Sequence, residues 1–174
     1  GPGGYWFQSG AVLADLINKN IKGVTANAQA TPCTVHNLGA LNKKEMELGM
    51  SVNYLSYQAF TGTGAYQDKG LFTISALTSW YRNYLLVFTL NEKIASFADF
   101  KSKRIIIGGA GSATEKTSLE LLKACGLEPN RDYTPIKANL EPGIELMKGK
   151  QADIQMWLMP TKNAALLSLI ETHP

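Results

Sequence analysis

The sequence predicts an α/β fold, a mostly parallel sheet with helices on its faces. Three observations predict it. Apolar runs of strand length alternate with stretches of helical periodicity, the connections between them are short, and glycines stand where helices should stop. The 174 residues suffice for one large domain or for two small lobes with their own cores.

In order, Gly1-Pro-Gly-Gly-Tyr-Trp-Phe is a glycine-rich loop leading into a helix over Ala11–Asn20, where Val12, Leu13, Leu16 and Ile17 share one face and Gly23 follows as a stop. Val24–Ala30 alternates with the period of a half-buried strand. Thr34–Asn42 repeats Val35, Leu38 and Leu41 at helical spacing, Glu47–Met50 is a short strand candidate, and Asn53–Phe60 is a helix broken by Thr61-Gly-Thr-Gly64. Leu71–Leu77 and Tyr84–Leu90 are apolar and β-prone, and they flank Thr78–Asn83. Phe97–Phe100 reads as a short helix and Arg104–Ile107 as a compact buried strand. Gly108–Thr114 then turns into a helix over Thr114–Cys125, stopped by Gly126. A strand at Tyr133–Lys137, a helix at Pro142–Lys148 stopped by Gly149, a strand at Asp153–Met159 and a helix at Lys162–Ile170 complete the series.

Composition narrows the function classes. Apolar residues make up 45% and charged residues 18%, as in an ordinary globular chain. The net charge is only +3, and the basic residues are scattered among acidic ones, which argues against a nucleic-acid footprint. No apolar run approaches the ~20 residues of a membrane span. Cys33 and Cys125 belong to no metal-binding pattern, and two small packed hydrophobes, not a disulfide, are expected. With two histidines, His36 and His173, little acid–base chemistry is available at neutral pH, and neither a catalytic triad nor a metal site can be assembled.

The candidate chemistry lies in the turns. Gly108–Thr114 joins a buried strand to a helix, a geometry that offers backbone N–H groups and the positive end of a helix dipole. Glu115 stands where a phosphate-binding Walker loop needs glycine, and the acidic residue of a dinucleotide fingerprint is missing after the next strand. The preferred reading is a loop that holds a carboxylate with Gly111, Ser112, Thr114 and backbone N–H groups. Capping by Ser112, with Glu115 three residues on, is compatible with it. Thr31 or Thr34 is expected to cap the helix after Ala30-Thr-Pro-Cys-Thr34, and Asn53 to cap the next. Trp80, Tyr81 and Arg82 offer an aromatic pair and a cation for stacking on and neutralising an organic acid. A surface crossover with a solvated Arg82 is the even alternative.

Several of these segments resemble the TAXI-type receptors of TRAP (tripartite ATP-independent periplasmic) transporters. They are Gly3-Gly-Tyr-Trp-Phe7 with Leu13-Ala-Asp-Leu-Ile-Asn18, Ala30-Thr-Pro-Cys-Thr-Val-His-Asn-Leu38, Leu48-Gly-Met50 with Tyr57-Gln-Ala59, Ser96–Arg104 and Gly111-Ser-Ala-Thr-Glu115. Their order and spacing carry the resemblance along nearly the whole chain. Departures fall at Val52-Asn-Tyr54, at Trp80-Tyr-Arg-Asn83 and at Met159-Pro-Thr-Lys-Asn163, in loops where the family's ligand is expected.

The resemblance implies a type II periplasmic-binding-protein fold with two α/β lobes, 1–84 and 85–174, and a ligand cleft. Both edges read as cut: the first lobe lacks its first strand and the second its return segment. It also implies binding without turnover and without a cofactor, in the periplasm or another extracytoplasmic space, of a small solute such as an organic acid or amino acid. The expected partners are the membrane subunits of a transporter. The runners-up are a receptor of the same fold serving an ABC transporter and the effector-sensing domain of a transcription regulator. The residues expected on the solute are Tyr5, Trp6, Thr31, Thr34, Asn53, Trp80, Arg82, Gly111, Ser112 and Thr114.

Overall fold

The computed structural model describes residues 5–160 and 164–172. The Gly1–Gly4 loop, the expected start of the last helix at Lys162, and His173 lie outside them. The chain divides into two units, between Leu77 and Thr78.

In the first unit, α1 spans Tyr5–Asn20, α2 Thr34–Asn42 and α3 Asn53–Thr61, and a turn of 3-10 helix follows at Gly64–Tyr66. Helix α1 begins six residues before the expected Ala11, so Tyr5 and Trp6 stand on its first turn and not in a loop. Helix α3 ends because Gly62 adopts φ +65°, a left-handed conformation that glycine accepts at little cost. The core gathers Leu38 and Ala40 of α2, Leu55 and Ala59 of α3, and Tyr66 and Phe72 beyond it. Tyr66 and Phe72 meet edge to face, with ring centroids 5.1 Å apart.

The strands expected at Val24–Ala30, Glu47–Met50 and Leu71–Leu77 do not form among the described residues. Other partners take up backbone groups that a ladder would use. The Asn18 amide accepts from the Ala26 N–H at 2.7 Å and donates to the Ala26 carbonyl at 2.9 Å. Asn42 Oδ1 accepts from Thr73 N–H at 2.9 Å.

The second unit is built on a four-stranded sheet of order β1-β4-β2-β3, with β1 Tyr84–Phe88, β2 Arg104–Ile106, β3 Thr134–Ile136 and β4 Ile154–Met159. Strands β2, β3 and β4 run parallel, and β1 pairs antiparallel with β4 in the register Leu86↔Trp157. Helix α4 (Ala113–Ala124) crosses from β2 to β3, α5 (Leu140–Lys148) crosses back to β4, and α6 spans Ala164–Thr172. Side chains alternate across the sheet, as the pleat requires. Ile105, Ile107, Ile154 and Met156 pack in one cluster with Leu122 of α4. Ile106 and Met159 pack in another with Ile144 and Met147 of α5 and Leu169 of α6. Both faces are thus covered, as parallel strands demand.

Register is pinned at the amino end of the sheet. Asp153 accepts from the Arg104 backbone N–H at 2.8 Å and, bidentately, from its guanidinium at 3.0 and 2.8 Å. Cys125, expected to be packed, is exposed at the end of α4, and both cysteines are free thiols.

Candidate functional site

The carboxyl end of β2 runs into Ile107–Ser112 and then α4. Ligands bind at this edge of open α/β sheets. Gly108 takes φ +99°, and a Cβ there would lie 2.7 Å from Thr114 Cβ and 2.9 Å from Glu115 N, so the chain folds back on the helix start only with glycine. A Cβ on Gly109 would lie 2.6 Å from Asn139 Oδ1, which places the loop after β3 directly against the loop after β2.

Ser112 caps α4: its Oγ accepts from Glu115 N–H at 3.0 Å. The Glu115 carboxylate turns back on the same loop. It accepts from Gly111 N–H at 2.6 Å, one residue earlier than in a capping box, and pairs with Lys137 Nζ at 2.9 Å. The glutamate side chain is 7% exposed and the lysine 57%. Burial pushes the Glu115 carboxyl up, but Lys137 and the Gly111 N–H outweigh it and hold the group below the usual carboxylate range. The predicted carboxylate-holding loop therefore holds a carboxylate of its own chain. Thr114 is buried, and its hydroxyl accepts from Leu158 N–H on β4 at 3.4 Å. Of the predicted residues in this unit, Gly111, Ser112 and Thr114 thus come together around the start of α4.

In the first unit the expected caps shift by a residue. Cys33 holds the N-cap position of α2 and Val52 that of α3, and neither makes a side-chain capping bond. Thr34 is the first residue of α2 and is buried, Thr31 lies three residues ahead of it, and Asn53 opens α3 with its Oδ1 accepting from Tyr54 N–H at 2.9 Å. The extended arrivals at the two starts, φ −166° at Cys33 and −98° at Val52, come from segments that are not strands. Asn37, in the first turn of α2, donates to the Met50 carbonyl at 2.8 Å and draws the two helix starts together.

Trp80, 45% exposed, and the exposed Arg82 lie in the irregular segment ahead of β1. A groove of about 460 Å³ in the first unit runs between Leu41, Lys44 and Met46 and the Thr73–Ser75 stretch, and one of about 210 Å³ in the second lies between β1 and Ile94–Phe97. Neither is lined by a predicted site residue. The sequence reading missed Lys137, whose role depends on a fold that sets β3 beside β2. It also read Glu115 as a cap only, though its Ser-x-x-Glu spacing was the visible signal. Among the described residues no group of three or more His, Cys, Asp or Glu is placed to hold a metal ion, and no helix is long and apolar enough to cross a membrane.

A family model described as the NMT1-like family matches residues 1–174. Two solved structures share the fold. The alkanesulfonate-binding protein SsuA from Xanthomonas axonopodis pv. citri, bound to MOPS, aligns with a TM-score of 0.54 at 19% identity over 87% of this chain and 50% of that one. The periplasmic aliphatic sulphonate binding protein SsuA from Escherichia coli aligns with a TM-score of 0.57 at 18% identity over 94% of this chain and 54% of that one. The chain thus spans about half the length of these proteins, and its mixed α/β fold is that of periplasmic binding proteins.

Proposed function

The chain belongs to the NMT1-like family, and on that premise we propose that it is part of an extracytoplasmic solute receptor, which captures a small organic acid or amino acid without turning it over. The match of the family model along the whole chain carries this reading, and the fold shared with two periplasmic binding proteins supports it. The TAXI-type resemblance of the motifs makes the membrane subunits of a TRAP transporter the proposed partner. The likeness to two sulfonate-binding proteins favours a second reading, a receptor of an ABC transporter that takes a sulfonate.

In the first unit the proposed contacts are Tyr5, Trp6, Thr31, Thr34 and Asn53. In the second they are Trp80, Arg82, Gly111, Ser112 and Thr114. Because Glu115 already occupies Gly111 N–H, the charge of an acidic solute falls in this unit to Arg82. A thermal-shift screen of the full-length protein against carboxylates, amino acids and sulfonates tests the reading. A solute at a hundred times its Kd should add about 2.7 kcal/mol of stability. Stabilisation by nucleotides and by none of these acids would overturn it. Arg82→Ala should weaken binding of the acid about ten-fold or more, since charge-assisted hydrogen bonds are the strong ones. Unchanged affinity by calorimetry would make Arg82 a solvated surface residue.

A further inference from the structure

The carboxyl edge of the second unit's sheet collects polar residues from several elements. Strands β4, β2 and β3 run parallel, and β1 opposes β4 with Tyr84 beside Met159, so β1 starts where the other three end. Arg82 stands two residues before β1. Thr114 accepts from Leu158 N–H near the end of β4, the Gly108–Ser112 loop leaves β2, and Lys137 follows β3 directly. In the order β1-β4-β2-β3, Arg82 and Lys137 therefore mark the two ends of this edge. Three strand spacings put about 14 Å between the chains that carry them. Two long side chains and a small solute can bridge that distance.

Lys137, unlike Arg82, has an acidic partner among the described residues. Its Nζ lies 2.9 Å from Glu115 Oε1, and the other oxygen of the glutamate accepts from Gly111 N–H. The carboxylate is buried and the lysine is more than half exposed. An ammonium has three N–H donors, and among the described residues Lys137 has no hydrogen-bond partner besides Glu115. It can still donate outward, but its charge is already balanced from within. Lys116 in α4 and Glu141 in the first turn of α5 add one charge of each sign and leave that balance as it is. Asn139, exposed and set against Gly109, adds a neutral amide.

A solute oxygen at Lys137 meets the ammonium with the Glu115 carboxylate just behind it. For a second carboxylate, the attraction is offset by a repulsion that burial leaves poorly screened, and the cost of taking a charge out of water remains. A carbonyl or hydroxyl oxygen costs far less to desolvate and still gains a charge-assisted hydrogen bond. We propose that Lys137 is a specificity-determining residue of the receptor. Paired with Glu115, it donates to an uncharged oxygen of the solute, so that the second unit takes a solute with one negative charge, held by Arg82, and turns away a diacid. The inference deepens the receptor reading and rests on it.

Calorimetry on the full-length protein tests it with two matched pairs of probes, succinamate with succinate and 3-hydroxypropanesulfonate with 3-sulfopropanoate. In at least one pair the singly charged member should bind about ten-fold or more tighter than the doubly charged one. Glu115→Gln leaves Lys137 without its counter-charge and should reduce that preference about ten-fold by strengthening binding of the doubly charged member. The double variant Glu115→Gln, Lys137→Met keeps the site neutral and buries no unpaired charge. It should bind the singly charged member about ten-fold more weakly. An ion pair that only supports the fold would change the melting temperature in these variants and leave the ratio of affinities where it is. An unmoved ratio in Glu115→Gln, wild-type affinity in the double variant, or a wild-type preference for the doubly charged member would each overturn the assignment and leave the receptor reading standing. So would binding of some other solute but of neither pair. Binding of no solute of any class would overturn both.

Discussion

Glu115 is buried and still ionised because Lys137 and the Gly111 N–H surround its two oxygens. Asp153 is held below the ordinary carboxylate range by its bidentate contact with Arg104. For a depressed carboxylate the contribution to stability is complete above the unfolded pKa, near 4 for Asp and Glu, and is lost as pH falls through the lower folded pKa. The second unit should therefore hold its stability at neutral pH and lose it progressively below about pH 4, as urea titrations at several pH values would show. Glu115→Gln should cost about 1–2 kcal/mol at pH 7 and flatten that acid limb. An unaltered acid limb would mean that Glu115 does not couple to folding. Gly108→Ala should cost about 2 kcal/mol or more, since its φ of +99° and the 2.7 Å approach to Thr114 leave no room for a methyl group. A variant as stable as wild type in denaturant titration would disprove the tight turn.

Single elements show where sequence reading succeeds. Helix α2 occupies the expected Thr34–Asn42, and β1 to β4 fall within a few residues of the expected strands. These segments carry their own signals, a helical period or a compact apolar run with a glycine stop. Val24–Ala30 carries the period of a strand equally well, but a strand exists only through a paired neighbour, and the Asn18 amide holds Ala26 instead. Capping was legible where the residue had the chemistry, at Ser112. It was displaced where Cys33 and Val52, which cannot cap, took the position next to Thr34 and Asn53. Ser112→Ala should accordingly cost about 1 kcal/mol. Gly143→Ala should cost more, because its methyl would fall 2.3 Å from Gln155 Nε2 and dislodge the buried bond from Gln155 to the Leu140 carbonyl. Equal costs by chemical denaturation would contradict that packing.

On the scale of the whole molecule, the order of motifs along the chain was enough to expect the fold of a periplasmic binding protein, but the contacts that would fix a ligand were not. Lys137 matters through a glutamate on another element. The two edges of the second unit's sheet also differ. Strand β3 is short and carries Pro135, which cannot extend a ladder, whereas β1 is an uncharged Tyr-Leu-Leu-Val-Phe run. That run pairs with β4, whose Trp157 lies about 70 residues after its partner Leu86. The partner of β1 is thus the last strand of the sheet to leave the ribosome. The β2-α4-β3 portion can close on local contacts, but β1 must wait for nearly the whole unit to be synthesised before it has a neighbour. The chain should therefore commit slowly and keep an apolar segment uncovered meanwhile. Pulse-labelling hydrogen exchange during refolding should find the amides of 104–106 protected before those of 84–88. Protection in the reverse order would show that β1 finds a partner without β4.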